Sequence, residues 1–274
     1  MATLIVIVAG GYVTFALRHG ARDQWQPFRR KAVAGKNTPS RQLIVLISGV
    51  FHAAYDAVLP EFKLRSGLTI ESKLSPSLGD NPDSVESRLS RGDDADVVIM
   101  AGRGMDIVVA KGLVMAEARV ELGRAPAGLA MRKGASKPDI STADALRTTL
   151  LSASSIGYSI SASGQYVSGE LFAKLGIADQ MKGKAHEVKD LIPVAETVAR
   201  GENQYGFQAV SEILPVDGVE LVGKLPDEVE FVTTVSAAIA AGSKNPDGAL
   251  ALLRFLTRPE MLPVLDQHGL DAPA

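Results

Sequence analysis

Residues 155–172 combine side chains that bind anions with a spacing that places them at the start of a helix. Residues 155–159 predict a short buried strand, and apolar residues recur at helical spacing from about Ser163 onward. The first turn of a helix exposes unpaired backbone N–H groups, and Ser161, Ser163 and Gly164 lie in that turn. This elbow is therefore predicted to bind an anion without a cationic side chain. The alternative interpretation is a capped helix that follows a buried strand.

The same order of strand, small residue and helix occurs twice earlier in the chain. Residues 43–47 form an apolar run of the kind buried in a parallel sheet, and Ser48 leads from it into a helix. Residues 95–100 predict another buried strand, which ends just before Arg103. Ligands bind outside the carboxyl ends of strands in open α/β sheets, so Ser48, Ser84 and Arg103 are predicted to converge on one crevice. The apolar face of the helix after Ser48 is predicted to carry Ala53, Ala54, Ala57, Val58 and Phe62.

Composition excludes several classes of function. The 274 residues are 46% hydrophobic, which is enough for a large core, and the formal net charge of −2 does not favour nucleic acid as a partner. The chain has no cysteine, which rules out disulfides, zinc–thiolate sites and thiol catalysis. Its four histidines are scattered, so we predict neither a metal site nor a cofactor.

The N-terminal segment has two interpretations. Residues 4–17 are apolar, too few for a comfortable membrane span but similar in length to the hydrophobic part of a signal peptide. Basic residues follow this run and none precedes it, which reverses the usual charge order of a signal peptide. Residues 1–41 are therefore predicted to be either a signal-like or anchor-like segment or an irregular N-terminal extension.

From residue 42 onward, strands and helices alternate, and five segments resemble a known family. They are the Ser-Gly pair after the first strand, RLSRGDDADVVIMAG (88–102), SASGQY (161–166), VARGENQYGFQAVSEI (198–213) and ALALLRFLTRPE (249–260). In this order they resemble type II periplasmic solute-binding proteins, specifically the molybdate-binding-protein-like branch, over about residues 42–270.

The resemblance implies an α/β fold with two lobes, each a mainly parallel sheet flanked by helices, joined by two crossing segments. Lobe 1 would comprise residues 42–122 plus 226–274, and lobe 2 residues 123–225. The lobes would close on a ligand like a hinged trap. The resemblance also implies a periplasmic or extracytoplasmic monomer that delivers a small anion to the membrane component of an ABC-type importer.

The aligned site residues depart from the molybdate pattern near the first strand. Molybdate binders carry an Ala-Ser pair there, whereas this chain has Gly49 and Val50, with Ser48 displaced by two positions. The second serine of the family falls near Asp83, next to Ser84, and a carboxylate at that place would repel an oxyanion.

A third departure lies after a later strand, where the tyrosine of the family falls on Ala209, beside Gln208. A pocket with Arg103, Gln165 and Gln208 would suit an organic dicarboxylate or tricarboxylate better than molybdate, because arginine pairs with carboxylate in bidentate fashion.

A second resemblance concerns residues 48–55 and 81–84, which look like proteins of this fold related to aconitate isomerase. It implies isomerisation of trans-aconitate to cis-aconitate by proton transfer without a cofactor, which requires a base and donors that stabilise a carbanion. His52 lies beside a predicted ligand loop, although a surface or capping role is the alternative interpretation. The candidate bases are His52 and Tyr55, followed by Asp83 and Tyr166.

Two functions therefore remain open, namely ligand capture for an importer and aconitate-type isomerisation. A structural or protein-binding role would leave the serines and glycines of the elbow unexplained. In either case the predicted ligand-binding residues are Ser48, Gly49, Phe51, Ser84, Arg103, Ser161, Ser163, Gly164, Gln165 and Gln208.

Overall fold

A computed structural model describes residues 3–9, 12–18, 28–31, 42–79, 81–189 and 192–274. The chain divides into two compact units, Met1–Pro39 and Ser40–Ala274. All the candidate site residues lie in the second unit. Within the described ranges, no helix has the length and the apolar composition needed to cross a membrane.

The first unit contains three antiparallel strands, β1 (Thr3–Ala9), β2 (Tyr12–Arg18) and β3 (Phe28–Lys31), in the order β1-β2-β3. β-Branched and aromatic residues dominate β1 and β2, and this composition favours strands. The signal-like or anchor-like role of residues 1–41 stays a prediction. The other residues of this range lie outside the described ones.

The second unit is built on one nine-stranded mixed sheet. Its strands are β4 (Gln42–Ile47), β5 (Thr69–Leu74), β6 (Val97–Ala101), β7 (Val120–Arg132), β8 (Ile156–Tyr158), β9 (Ala185–Glu187), β10 (Tyr205–Ala209), β11 (Val219–Lys224) and β12 (Val232–Ile239). They run in the order β5-β4-β6-β12-β7-β10-β8-β9, and β11 pairs with β7. The sheet thus consists of two parallel sets, β5-β4-β6 and β10-β8-β9, separated by β12 and β7, which pair antiparallel with their neighbours.

Helices connect the strands and flank the sheet. They are α1 (Gly49–Ser66), α2 (Val85–Ser90), α3 (Gly102–Ala110), α4 (Ala143–Ser152), α5 (Ala162–Tyr166), α6 (Phe172–Lys174), α7 (Ala178–Met181), α8 (Val194–Ala199), α9 (Val210–Ile213), α10 (Pro246–Leu256) and α11 (Met261–Gln267). A π-helical turn, Val167–Leu171, continues α5 into α6. Short 3-10 turns occupy Ala116–Ala118 and Asp227–Val229.

The apolar run of β4 is buried on both faces of the sheet, as the sequence predicts. Leu43, Val45 and Ile47 pack into a core with α1, α10 and α11, whereas Leu46 points to the opposite face. Val98 and Met100 of β6 belong to that opposite core. A separate core surrounds β8, β10 and the second half of β7.

Strand β7 joins the two parallel sets because it is long enough to pair with both neighbours. Residues 120–126 pair with β12, and residues 127–131 pair with β10. The predicted two-lobed α/β fold is confirmed. The lobe boundaries at residues 122/123 and 225/226 stay a prediction.

Asp96 lies directly before β6 and binds neighbouring backbone groups. This role was not predicted from the sequence. The Asp96 carboxylate accepts hydrogen bonds from the backbone N–H groups of Ile44, Lys244 and Asn245, each at 2.9 Å, and from the Ser243 hydroxyl at 2.7 Å. Asp96 is 4% exposed, so these donors have little access to water. The carboxylate therefore ties β4 and the turn before α10 to the sheet.

We expect Asp96→Ala to lower the free energy of unfolding by roughly 2–4 kcal/mol, because buried backbone donors lose their acceptor. Asp94→Ala is the matched control, since Asp94 is exposed and pairs with the Lys244 ammonium at 2.6 Å. The control should cost less than about 1 kcal/mol. Urea unfolding measures both changes, and equal losses would contradict the role given to Asp96.

Candidate functional site

Four strand-to-helix turns lie at carboxyl ends of strands in the two parallel sets. Their N-cap residues are Ser48 before α1, Ala101 before α3, Ser161 before α5 and Ala209 before α9, all in extended conformation. The turns before α1 and α3 belong to one parallel set, and those before α5 and α9 to the other. Side chains from the two sets meet at two places, described below, so the four turns surround one cleft.

The start of α1 has a buried hydroxyl group without a partner. Ser48 is 4% exposed, and its Oγ makes no hydrogen bond among the described residues. Ser75, which follows the neighbouring strand β5, is fully buried and its Oγ also has no partner there. Buried hydroxyl groups are normally hydrogen-bonded, so two unpaired ones at adjacent strand ends indicate a site for a polar ligand or water.

The serine-rich elbow forms as the sequence predicts, and its hydroxyls are linked in a chain. The Oγ atoms of Ser159 and Ser161 lie 2.6 Å apart, and those of Ser161 and Ser163 lie 3.1 Å apart. Ser161 is the N-cap residue of α5, but its side chain makes no capping hydrogen bond. The three hydroxyls therefore bond to one another instead of capping the helix. Together they retain donor and acceptor capacity for a ligand.

Gly164 permits this tight elbow because no side chain fits there. A Cβ atom at this position would lie 1.6 Å from the carbonyl oxygen of Ser159. Glycine is needed here for the close approach of two backbone segments and not for an unusual backbone angle.

Arg103 and Gln165 form one of the two contacts across the cleft. Nη1 of Arg103, in the first turn of α3, donates to Oε1 of Gln165 at 2.9 Å, and Gln165 Nε2 donates to the Ile160 carbonyl at 3.2 Å. Both side chains are exposed, so the guanidinium group keeps donors free for a ligand. The prediction that these residues lie together is thus met, although their part in binding stays a prediction.

Glu212 forms the second contact across the cleft. Its Oε1 lies 2.6 Å from the position that a Cβ atom on Gly49 would occupy, so the carboxylate sits beside the first residue of α1. The Ser211 hydroxyl donates to the Val50 carbonyl at 2.8 Å and holds α9 against α1. A side chain at position 49 would require this carboxylate to move.

Gln208 orients the carboxylate of Glu212 from behind. Gln208 is 5% exposed, and its Oε1 accepts a hydrogen bond from the backbone N–H of Ala195 at 3.1 Å. Its amide nitrogen is thereby free to donate to Glu212, and the backbone N–H of Ala209 donates as well. Gln208 is therefore buried behind Glu212 and affects the cleft through its hydrogen bond to that carboxylate.

The pKa of Glu212 is raised to about 7. Burial of the carboxyl group is the main cause, and it outweighs the hydrogen bonds from Gln208 and Ala209, which favour the charged form. The residue as a whole is partly exposed. Near neutral pH this group is present in both protonated and ionised forms.

Three aromatic residues proposed for the site lie in the core instead. Phe51 and Tyr55 are fully buried, because they share the face of α1 that packs on the sheet. Burial raises the pKa of Tyr55 to about 12 although Ser72 hydrogen-bonds its hydroxyl at 3.0 Å. Tyr166 donates to the Val229 carbonyl at 2.9 Å and stacks on Phe231. Burial in the core does not favour Phe51 as a ligand contact or Tyr55 and Tyr166 as bases, and these roles stay predictions.

The remaining candidates have other local roles. The His52 side chain is 42% exposed, and its Nδ1 lies 3.4 Å from the Asp56 carboxylate one turn along α1. Ser84 is 1% exposed and caps α2 by accepting from the backbone N–H of Ser87 at 3.2 Å. Asp83 pairs with Arg88 at 2.6 Å.

The sequence analysis missed Glu212 and Ser75. The available signal for Glu212 was its place shortly after the apolar run of β10, which the structure ends at Ala209, three residues before Glu212. Ser75 likewise follows a predicted strand directly. Among the residues that the structure describes, no group of three or more metal-ligating side chains comes together.

Two lobes with helix N-termini at the strand ends between them are the architecture of solute-binding proteins. Residues 43–271 match the sequence pattern of a family described as bacterial extracellular solute-binding protein. The chain belongs to this family.

One curated relative and two solved structures are similar to this chain. The chain is 39% identical over 232 residues to an aconitate isomerase of Pseudomonas sp. The match covers 85% of this chain and 88% of the relative. The periplasmic molybdate-binding protein of Azotobacter vinelandii has a TM-score of 0.67 at 16% identity, and the match covers 85% of this chain and 100% of that one. The substrate-binding domain of a putative molybdenum ABC transporter from Clostridium difficile has a TM-score of 0.65 at 20% identity, covering 85% of this chain and 99% of that one.

The elbow gives a prediction about stability. Gly164→Ala should cost roughly 1–3 kcal/mol of unfolding free energy, because the added methyl group overlaps the Ser159 carbonyl. Gly169→Ala is the matched control in the same helical segment, where nothing lies within 4 Å of the added carbon, and it should be neutral or slightly stabilising. Denaturant titration of both variants checks this, and a neutral Gly164→Ala would contradict the tight elbow.

The contact across the cleft gives a prediction about binding. Arg103→Ala should weaken binding of citrate, an unreactive tricarboxylate, by roughly 1.5–3 kcal/mol through loss of a charge-assisted hydrogen bond. Arg147→Ala is the control, because Arg147 is exposed on α4. Calorimetric titration measures both affinities.

A further variant separates two roles of Arg103. If Arg103 acts only by holding Gln165, Gln165→Ala should weaken citrate binding as much as Arg103→Ala does. Unchanged affinity in Arg103→Ala would remove it from the site.

Proposed function

We propose that this protein is a cofactor-independent isomerase of the aconitate isomerase type, which interconverts trans-aconitate and cis-aconitate by proton transfer. The observation that carries this proposal is the 39% identity to an aconitate isomerase over 85% of the chain. The molybdenum-related structures share the fold at 16–20% identity and say nothing about the ligand.

The reaction needs only a proton carrier and stabilisation of negative charge. A base removes a proton from the methylene carbon next to the double bond, and the electron pair of that C–H bond moves into the conjugated system. The protonated base then returns the proton to the carbon at the far end of the original double bond, so the double bond shifts by one position. No electron, metal or co-reactant is consumed.

The cleft contains groups suited to both requirements. The start of α1, with the unpaired Ser48 hydroxyl, and the Arg103 guanidinium are donors for substrate carboxylates and for the charge that develops on them. The carboxyl group of Glu212, with its pKa of about 7, provides a titratable group beside them. These features support proton transfer at neutral pH.

The second candidate function is capture of a small organic anion for an ABC-type importer, as a periplasmic or extracytoplasmic monomer. Membership of an extracellular solute-binding family favours it. Molybdate is the less suitable ligand under this alternative, because Gly49 and Val50 stand where molybdate binders carry an Ala-Ser pair.

The first test is proton NMR of trans-aconitate in D₂O with a trace of the full chain. We expect signals of cis-aconitate to grow, or the methylene signal to decline by deuterium uptake, at a rate proportional to protein concentration. Fumarate is the control substrate, since it has no methylene group beside its double bond and should stay unchanged.

Unchanged trans-aconitate over hours would contradict the isomerase. A rise in melting temperature with tricarboxylates in that case would support the capture function. Molybdate and sulfate in the same series would separate carboxylate recognition from general anion binding.

A further inference from the structure

Glu212 is a cleft carboxylate that pairs with no Lys, Arg or His side chain among the described residues. Burial, the Gln208 amide and the Ala209 N–H group determine its pKa. The other acidic residue considered for the cleft, Asp83, pairs with Arg88 at 2.6 Å. Glu212 is thus free to exchange a proton without breaking an ion pair.

Its position relative to the start of α1 suits removal of a proton next to a carboxylate. In aconitate, the methylene carbon is bonded directly to a carboxylate group. When that carboxylate binds at the first turn of α1, the methylene carbon lies one bond from the bound group. Oε1 of Glu212 already lies beside Gly49, the first residue of that turn.

Two anchors hold the carboxylate rigidly enough for such a role. The Gln208 amide is oriented by the Ala195 N–H group at 3.1 Å, and α9 is fixed on α1 by the 2.8 Å bond from Ser211 to the Val50 carbonyl. The unpaired hydroxyl of Ser48, 4% exposed, is an independent sign that a polar group binds next to Gly49.

We infer that Glu212 is the catalytic residue that removes and returns the proton, an inference that rests on the proposed isomerase function. Its ionised Oε1 takes the proton from the substrate methylene carbon as the C–H bond breaks and an O–H bond forms. The same carboxyl group then gives this proton to the carbon at the other end of the original double bond and becomes ionised again. The start of α1 and Arg103 stabilise the carbanion between these steps.

The alternative role of Glu212 is structural. It is the third residue of α9, and its bond to the Ala209 N–H group is half of a capping box. Glutamine fills the same capping role, because its side-chain oxygen also accepts that hydrogen bond. Glu212→Gln therefore keeps the cap and removes only the ability to carry a proton.

Other titratable groups lie on the elements that contact α9, namely α1, β7, β10 and β11. His52 on α1 is the competing base, but it is exposed and paired with Asp56. The titratable and charged residues on these four elements are His52, Asp56, Glu61, Lys63, Arg65, Tyr55, Glu121, Arg124, Arg132, Tyr205, Glu220 and Lys224.

The test compares Glu212→Gln, Glu212→Asp and Glu196→Gln in the full chain, with trans-aconitate as substrate and citrate as binding probe. Glu196 is the matched control, because it is also the third residue of a short helix, α8, but is exposed and pairs with Arg200 at 3.3 Å. We expect Glu212→Gln to lower kcat at least about 100-fold with citrate affinity and melting temperature nearly unchanged. Glu196→Gln should turn over like the wild type.

The pH profile adds a second readout. In the wild type, kcat/KM should rise through about pH 7, where Glu212 becomes ionised, and then level off. Glu212→Asp should keep part of the activity, and its acidic limb should move to lower pH because aspartate is the stronger acid. A merely structural residue would not shift this limb.

Each outcome is decisive. Wild-type turnover with an active Glu212→Gln variant, or loss of turnover in His52→Gln alone, overturns this inference and leaves the isomerase standing. Absence of turnover in the wild type overturns both.

Discussion

The cleft depends on one constraint, the direction of the parallel strands. In each parallel set the strands end at the same edge, and helices with unpaired N–H groups begin directly after β4, β6 and β10 and shortly after β8. Because β12 and β7 pair antiparallel between the sets, the edges with Ser48 and Ser161 turn towards each other. The backbone alone therefore makes this region favourable for anions.

A carboxylate in such a region is subject to opposing effects. The N–H group of Ala209 and the amide of Gln208 favour the charged form of Glu212, and burial disfavours it. Burial prevails by an amount that leaves the pKa near neutrality, at about 7. A fully solvated glutamate would be a much weaker base, and a more deeply buried one would stay protonated.

The backbone features of the site could be predicted from sequence, because they follow from local patterns. The run 43–47 and the turn at Ser163 and Gly164 are strand and helix-start signals that do not depend on the rest of the chain. The meeting of Arg103 with Gln165 followed from the rule that ligands bind at strand ends.

Side-chain roles were harder to predict, because they depend on which way a helix is rotated. The expected apolar face of α1 included Ala57, which is exposed, and omitted Phe51 and Tyr55, which are fully buried. A rotation of about one residue thus moved two proposed site residues into the core. Glu212 was not predicted for a related reason, since the packing of α9 on α1 is what brings it to Gly49.

Under the proposed function, binding of a polyanionic substrate would change the acid–base balance of the cleft. Substrate carboxylates near Glu212 disfavour its ionised form and raise its pKa in the complex, which strengthens the base but lowers its ionised fraction. The Arg103 guanidinium and the helix N-termini act in the opposite direction, because they offset the negative charge of the substrate. Under the proposed function, Arg103 would have two effects that a single affinity does not separate, anchoring of the ligand and maintenance of an ionised Glu212. A two-lobed protein that only captures anions needs the first effect, whereas a proton-transfer enzyme on the same scaffold needs both.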